Sequence, residues 1–218
     1  MAFQPLFPDL TGPGLAVGWA SIDALQGTVD PAEWRDVAAA AAPRQREFVA
    51  GRLLATALAE SLSLVAKPVR RSDDRSPIWP ADRHGSLSHC KELCAGVVGT
   101  PDAIQSAGID IEALGRVESR LWPTLFTERE RDYFHSVDPV LVAIEATTFF
   151  SAKEAFYKCQ FPLTKSWVGF QDVELQRTSD TTLAVTANTS APRAWHGSPI
   201  HTVILEEAHV ATLMVLPA

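Results

Sequence analysis

The order of helical and strand-like segments constrains the fold of this 218-residue chain more than any other feature. A helix start is indicated by Asp30-Pro-Ala-Glu33, which has an N-cap residue, a proline in the first turn and a glutamate three residues after the cap. The elements predicted for the first half are a strand at 17–22, an alanine-rich helix ending at about Ala42 before Pro43, a helix over 44–62, and strands near 95–99 and 107–112.

The second half follows the same order. Thr127-Glu-Arg-Glu130 is a capping box, and a long helix is predicted from 138 or 139 to 159 or 160, before Pro162. The strands predicted after it are 170–175, 182–186, 202–205 and 210–216. The order strand, helices, strands therefore occurs twice. It predicts an α+β fold with two halves, residues 1–105 and 106–218, although no sequence repeat is visible between them.

Charge and composition narrow the choice of partners. The formal net charge is −7, which disfavours nucleic-acid binding, but a small polyanion needs only a few cations in one cleft. Basic residues are concentrated at 44–52 and 67–75. The chain has no apolar run long enough for a bilayer and no basic, apolar start of the secretory kind, so we expect a cytoplasmic protein without membrane contact.

The three cysteines favour free thiols. Cys90 and Cys94 have the spacing C-x3-C without a second pair downstream, which is poor support for a zinc site.

Two carboxylates are expected on one face of a strand. In Gly108-Ile-Asp110-Ile-Glu112, side chains alternate, so Asp110 and Glu112 point the same way. Such a pair suits Mg²⁺, which takes one or two carboxylates together with waters and substrate phosphates. The alternative is an edge strand with a solvated polar face.

A helix with fixed charges is expected downstream. Within Phe149-Phe-Ser-Ala-Lys153-Glu154-Ala-Phe-Tyr-Lys158, Glu154 and Lys158 are neighbours at i and i+4, and the aromatic residues can bury the segment. The alternative is an ordinary surface ion pair.

Two upstream segments could contact a phosphate. Gly85-Ser-Leu-Ser-His89-Cys, in the approach to a strand, offers hydroxyls and a histidine, and Arg44 and Arg52 could share a broad helix face. The polar stretch 67–85 reads as a long loop, a kind of segment that is often functional. Each feature alone is also common in purely structural settings.

Taken together and in order, these segments resemble the 4′-phosphopantetheinyl transferases of the surfactin and enterobactin type. The family's Gly-x-Asp-x-Glu strand matches Gly108–Glu112, and its (Trp or Phe)-x-x-Lys-Glu-(Ala or Ser)-x-x-Lys helix matches Phe150–Lys158. The segments 44–52, 77–80 and 85–90 resemble further motifs of the enterobactin-like branch. The resemblance covers about residues 44–160.

The resemblance implies two similar α+β halves related by a pseudo-twofold axis, with the active site at their interface, in a monomer. It implies transfer of the 4′-phosphopantetheine of coenzyme A to a serine of an apo acyl or peptidyl carrier protein, with adenosine 3′,5′-bisphosphate as the other product. The carriers would serve siderophore or secondary-metabolite synthesis. Mg²⁺, or Mn²⁺ in its place, would be the cofactor.

Residue roles follow from the same resemblance. Asp110, Glu112 and Glu154 would hold the metal, with Glu112 the one that water could replace. Glu154 would act as general base, directly or through a metal-bound water, and Lys158 would stabilise the phosphorus or the leaving oxygen. The residues expected to bind coenzyme A are Arg44, Arg52, Arg71, Arg75, Ser88, His89 and Lys153.

Two other functions share some of these sequence features. A metal-dependent nuclease also clusters carboxylates with a lysine, but it usually carries that lysine two residues after the second carboxylate, where this chain has Leu114. A coenzyme A or carrier-binding module with an inactive site would bind without turnover, and the intact acidic and basic residues argue against it.

Overall fold

The computed structural model describes residues 3–74, 76–188 and 195–218. The chain forms two compact units, residues 1–107 with 216–218, and residues 108–215. Helices and antiparallel strands occur in both units, which confirms the predicted α+β class. The pseudo-twofold relation and the position of the active site at an interface stay predictions.

The first unit is built on a four-stranded antiparallel sheet, in the order β1-β2-β6-β5. Its strands are β1 (Gln4–Pro5), β2 (Leu15–Ser21), β5 (His84–His89) and β6 (Leu93–Gly99). Helix α2 (Ala42–Ser61) packs on this sheet through Leu54 and Leu58, both fully buried. The close fit requires Gly96, because a Cβ there would lie 2.9 Å from the Leu58 side chain.

The predicted alanine-rich helix is wrong in length. The capping box of Asp30 and Glu33 is present, but the helix it starts, α1 (Pro31–Trp34), is only four residues long and is followed by turns. The N–H of Asp36 and that of Val37 bond to carbonyls three residues back, so the chain tightens out of the α-helix. The Asp36 carboxylate is engaged elsewhere, accepting a hydrogen bond from the backbone N–H of Arg71.

The predicted loop over 67–85 is also more structured than expected. It contains a small antiparallel pair, β3 (Arg70–Arg71) with β4 (Pro77–Ile78), and β5 begins at His84. The segment Gly85 to His89 is therefore itself a strand, not the approach to one.

The second unit contains most of a five-stranded antiparallel sheet and, within its described residues, three α-helices. The strand order is β7-β11-β10-β9-β8. The elements are β7 (Ile104–Ala113), α3 (Trp122–Leu125), α4 (Glu128–Ser136), α5 (Val142–Thr164), β8 (Val173–Ser179), β9 (Thr182–Asn188), β10 (Pro199–Leu205) and β11 (His209–Pro217).

Helix α4 starts as predicted, with Thr127 and Glu130 bonding to each other's backbone N–H groups. The predicted end of the long helix is wrong, because α5 continues through Pro162 to Thr164. Proline lacks one N–H, so near a helix end it removes a single intrahelical bond, and the helix then ends at Lys165 with φ of 52°. Among the described residues, no helix is long and apolar enough to cross a bilayer.

Candidate active site

Strand β7 carries two buried carboxylates. The side chains of Asp110 and Glu112 share one face, as the alternation predicts, and both residues are almost inaccessible, at 3% and 6% exposure. The alternative of a solvated polar face is therefore wrong, although β7 does lie at the edge of its sheet. Burying two acids so close together is costly unless cations accompany them.

Gly108 explains how the carboxylates come close to the helix. A Cβ at this position would lie 1.8 Å from the carbonyl oxygen of Ala155 and 2.6 Å from the backbone nitrogen of Cys159, both in α5. Only glycine permits this approach of strand to helix. The approach places the acids of β7 beside Glu154 and Lys158.

Each strand carboxylate has a cationic partner. Nζ of Lys158 donates to Oδ1 of Asp110 at 2.6 Å and to the carbonyl of Ile109 at 3.2 Å. The guanidinium of Arg116 donates to a carboxylate oxygen of Glu112. Glu154 lies one helical turn before Lys158, as predicted, and is close enough to interact with it electrostatically.

The carboxylates influence one another's ionisation. Burial raises the pKa of Glu154, and the negative charge of Asp110 adds to this effect, while Lys158 and Arg116 oppose it. Burial also raises the pKa of Glu112, with Asp110 acting in the same direction and the Arg116 hydrogen bond against it. Glu112 and Glu154 would both be more readily ionised beside an additional cation.

The donor chemistry of this group fits a divalent cation. Carboxylate oxygens are the ligands of Mg²⁺, which takes one or two of them and completes its shell with water and substrate phosphate. Among the described residues, however, no three His, Cys, Asp or Glu side chains converge as a preformed metal cage.

The first unit contains a cavity of about 250 Å³ with a strongly basic lining. Five of the six residues predicted there to bind coenzyme A line this cavity: Arg44, Arg52, Arg71, Ser88 and His89. The sixth, Arg75, lies outside the described residues. The structure thus brings together side chains from helix α2 and strands β3 and β5, which are far apart in sequence.

A carboxylate also lines this basic cavity. Glu47 Oε2 lies 3.3 Å from Nη1 of Arg44 and 3.6 Å from Nδ1 of His89. Arg44 donates in turn to Nε2 of His89, which leaves Nδ1 as the nitrogen that carries hydrogen in the neutral ring. Glu47 was missed in the sequence, although it lies one helical turn after Arg44.

Arg52 is held between an aromatic ring and an acid. Its guanidinium carbon lies 4.3 Å from the centroid of Phe48, and its Nε lies 3.7 Å from Oε1 of Glu33. Burial lowers the pKa of Arg52, with Glu33 opposing this effect. Nε of Arg52 is buried and makes no hydrogen bond within the described part of the chain, and the acid it faces is Glu33.

Lys153 does not match its predicted role. Its ammonium group donates to Glu130 Oε2 at 2.7 Å, to the carbonyl of Phe170 at 2.7 Å and to that of Leu125 at 3.0 Å. Three bonds use all the donors of a lysine. The prediction that Lys153 binds the nucleotide is therefore corrected. Lys153 instead ties α5 to the start of α4 and to the segment before β8.

A second cavity, of about 170 Å³, lies beside Glu154 in the second unit. Its walls are mainly apolar or aromatic and include Phe156, Tyr157, Trp167 and Val173. Trp167 is unusually exposed for its type, at 76%.

Comparison with known proteins places these features in a family. A model of the 4′-phosphopantetheinyl transferase N-terminal domain matches residues 32–99, and a model of the 4′-phosphopantetheinyl transferase superfamily matches residues 106–213. The two matched ranges cover most of the chain and include every described site residue.

Individual relatives are similar over a large part of the chain. A 4′-phosphopantetheinyl transferase of Mycobacterium tuberculosis is 34% identical over 152 residues, which are 70% of this chain and 66% of that protein. The enterobactin synthase component D of Escherichia coli K12 is 30% identical over 134 residues, 61% of each chain. The matched segment thus spans slightly less than two thirds of these relatives.

Among solved structures, a holo-(acyl-carrier-protein) synthase from Bacillus anthracis in complex with CoA matches 53% of this chain and 98% of its own. The identity is 21% and the TM-score 0.40, too slight a likeness to add to the argument from the residues.

Proposed function

Because the chain belongs to the 4′-phosphopantetheinyl transferase superfamily, we propose that it transfers the 4′-phosphopantetheine of coenzyme A to a serine of an apo acyl or peptidyl carrier protein. The products are the holo carrier and adenosine 3′,5′-bisphosphate. The observation that carries the proposal is the group of Asp110, Glu154 and Lys158, which glycine-mediated packing of β7 against α5 brings together.

The basic cavity of the first unit is the proposed binding site for the nucleotide phosphates. Arg44, Arg52 and Arg71 provide positive charge, and Ser88 and His89 add polar side chains.

The carboxylates of the second unit are the proposed site for the pyrophosphate with its cation. Asp110 would be a metal ligand, joined by Glu112 and Glu154 directly or through water. When bound, Mg²⁺ would supply Lewis-acid stabilisation of the phosphate oxygens and a template for the displacement. Burial disfavours the charged forms of Glu112 and Glu154, as their raised pKa values indicate, and a bound cation would stabilise those charged forms.

Transfer forms one P–O bond and breaks another. The serine oxygen attacks the β-phosphorus, the bond from that phosphorus to the bridging oxygen breaks, and the nucleotide leaves with the bond electrons. Lys158 can stabilise the charge that accumulates on the phosphate oxygens. Glu154, partly exposed and with its pKa raised by burial, can accept the serine proton directly or through water.

The cavity beside Glu154 is the proposed place for the pantetheine chain. This chain extends from the β-phosphate, so it must lie next to the reacting group. Tyr157 and Trp167 would cover its methyl and methylene groups with aromatic surface.

Partners and location follow from the relatives and from the chain itself. Since several relatives are named enterobactin synthase component D, we extend the proposal to carriers of siderophore or other secondary-metabolite synthesis. One chain supplies both groups of residues, so we propose that the enzyme acts as a monomer. The cytoplasmic location stays a prediction.

The test is the mass of a purified apo peptidyl carrier protein after incubation with the chain, coenzyme A and Mg²⁺. We expect the carrier to gain the mass of one phosphopantetheine, and a chelator to prevent the gain. The variants Asp110→Asn and Glu154→Gln should lose transfer while keeping the wild-type circular dichroism. Full activity in either variant would sink the assignment, and coenzyme A binding without transfer to any carrier would favour a binding module.

A further inference from the structure

Arg116 is a residue that neither the motifs nor the proposed mechanism uses, yet it lies at the carboxylate group. It follows the end of β7 after a turn at Gly115, whose φ of 76° suits glycine. Its guanidinium donates a hydrogen bond to Glu112 Oε2. The side chain of Glu112 is 8% exposed, whereas that of Arg116 is 58% exposed, so the pair joins a buried acid to a cation that reaches in from solvent.

The charge of Arg116 acts on the whole group of acids. The hydrogen bond to Glu112 raises the pKa of Arg116, and the negative charges of Asp110 and Glu154 act in the same direction. The guanidinium carbon also lies 5.9 Å from the ring centroid of Phe150. Arg116 is thus the side chain that neutralises Glu112 in this structure.

The two cations at the site differ in how firmly they are held. Lys158 is 25% exposed and bonds both to a carboxylate and to the backbone carbonyl of Ile109, so it is fixed from two sides. Arg116 is far more exposed, and an exposed ion pair is worth only about 0–1 kcal/mol. A guanidinium stays protonated near neutral pH, so Arg116 can release Glu112 only by moving away.

We propose that Arg116 is an internal counterion that occupies Glu112 until a divalent cation replaces it. The inference rests on the proposed function, since it assigns a positioning role at the same site. The lone pair of Glu112 Oε2 that accepts from the guanidinium is not available to a metal, so a cation that approaches this side of the carboxylate has to displace Arg116. Metal binding then includes the exchange of one cation for another, and the buried acid has a partner at every stage.

The exchange predicts that removal of Arg116 strengthens metal binding. In Arg116→Gln, a cation no longer has to displace the guanidinium. We expect the dissociation constant for Mn²⁺ to fall two- to fivefold, which corresponds to about 0.4–1 kcal/mol at 1.4 kcal/mol per tenfold change. The measurement is an electron paramagnetic resonance titration of Mn²⁺ with coenzyme A present and no carrier protein, so that no transfer occurs, and a titration of coenzyme A alone gives the background.

A matched control is available in the same segment. Arg120 is also exposed but pairs with Glu118, 2.7 Å away, instead of with the buried acids. Arg120→Gln removes the same charge from the same stretch of chain and should leave the Mn²⁺ dissociation constant unchanged. Because both arginines are exposed, both variants should fold.

The decisive comparison uses Glu112→Gln as background. If Arg116 acts by occupying Glu112, then Arg116→Gln should produce no further tightening once Glu112 is neutral. Equal tightening in both backgrounds would mean that Arg116 merely repels the metal, and unchanged or weaker binding in the single variant would likewise overturn the exchange. Since these titrations require no turnover, their failure is distinct from a failure of wild-type transfer in the carrier mass assay.

Discussion

Lys153→Met is the substitution that most directly separates a structural from a ligand-binding role. The side chain of Lys153 is 1% exposed, and the side chain of its partner acid, Glu130, is inaccessible. Burial favours the neutral form of both groups, lowering the pKa of Lys153 and raising that of Glu130, and their attraction opposes this. Methionine fills similar space but leaves the Glu130 carboxylate without its cation.

The expected loss of stability follows from that unpaired charge. Removing one partner of a buried ion pair typically costs about 3–5 kcal/mol. The carbonyls of Leu125 and Phe170 also lose their donor, which places Lys153→Met at the upper part of this range. For a chain of this length, each kcal/mol lowers Tm by about 2–4 °C, so a loss of about 4–5 kcal/mol predicts a decrease of about 8–20 °C.

The assay is urea and thermal unfolding followed by circular dichroism, with the KM for coenzyme A measured on the folded protein. Lys165→Met, at the exposed end of the same helix, is the matched control and should change stability by at most about 0.5 kcal/mol. Adding Glu130→Gln to Lys153→Met removes the buried charge and should recover part of the loss. A loss below about 1 kcal/mol together with a raised KM would refute the reasoning and restore Lys153 as a nucleotide ligand.

Three further outcomes are expected. Gly108→Ala forces a Cβ onto the backbone of Ala155 and should lower stability by about 1–3 kcal/mol or more in denaturant unfolding, with loss of transfer; wild-type stability would show that β7 and α5 are less closely packed. Thr127→Ala removes the α4 cap and should cost about 1 kcal/mol in the same assay, an unchanged midpoint being the contrary result. Burial raises the pKa of the Cys94 thiol to about 12, so at pH 8 a thiol reagent should modify the half-exposed Cys90 and spare Cys94, as peptide mapping would show.

The parts of the site that sequence could predict depend on short spacings within one element. Alternation along a strand puts Asp110 and Glu112 on one face whatever the surroundings. A helix puts Glu154 beside Lys158 in the same way. Capping boxes are equally local, which is why the starts of α1 and α4 were predicted correctly.

The parts that were wrong depend on contacts between elements. An alanine-rich stretch has high helix propensity, but the chain after Trp34 bends to bring Asp36 to the backbone of Arg71. Lys153 resembles a surface cation in the sequence, because no local pattern shows that Glu130 will lie 2.7 Å from it. In both places a contact made across the fold outweighed the local preference.

Electrostatic pairing is the property that the sequence shows least, both in the basic cavity of the first unit and in the carboxylate group of the second. The net charge of −7 disfavours nucleic-acid binding but does not show that cations and acids are arranged as local pairs. Arg44 lies beside Glu47, Arg52 beside Glu33, and Arg116 beside Glu112. In the proposed function, binding of a phosphate or of a metal beside such a pair would exchange one charged partner for another. Affinity is then governed by the difference between the old pair and the new one, so the neighbouring acids and bases influence binding as much as the residues that touch the ligand.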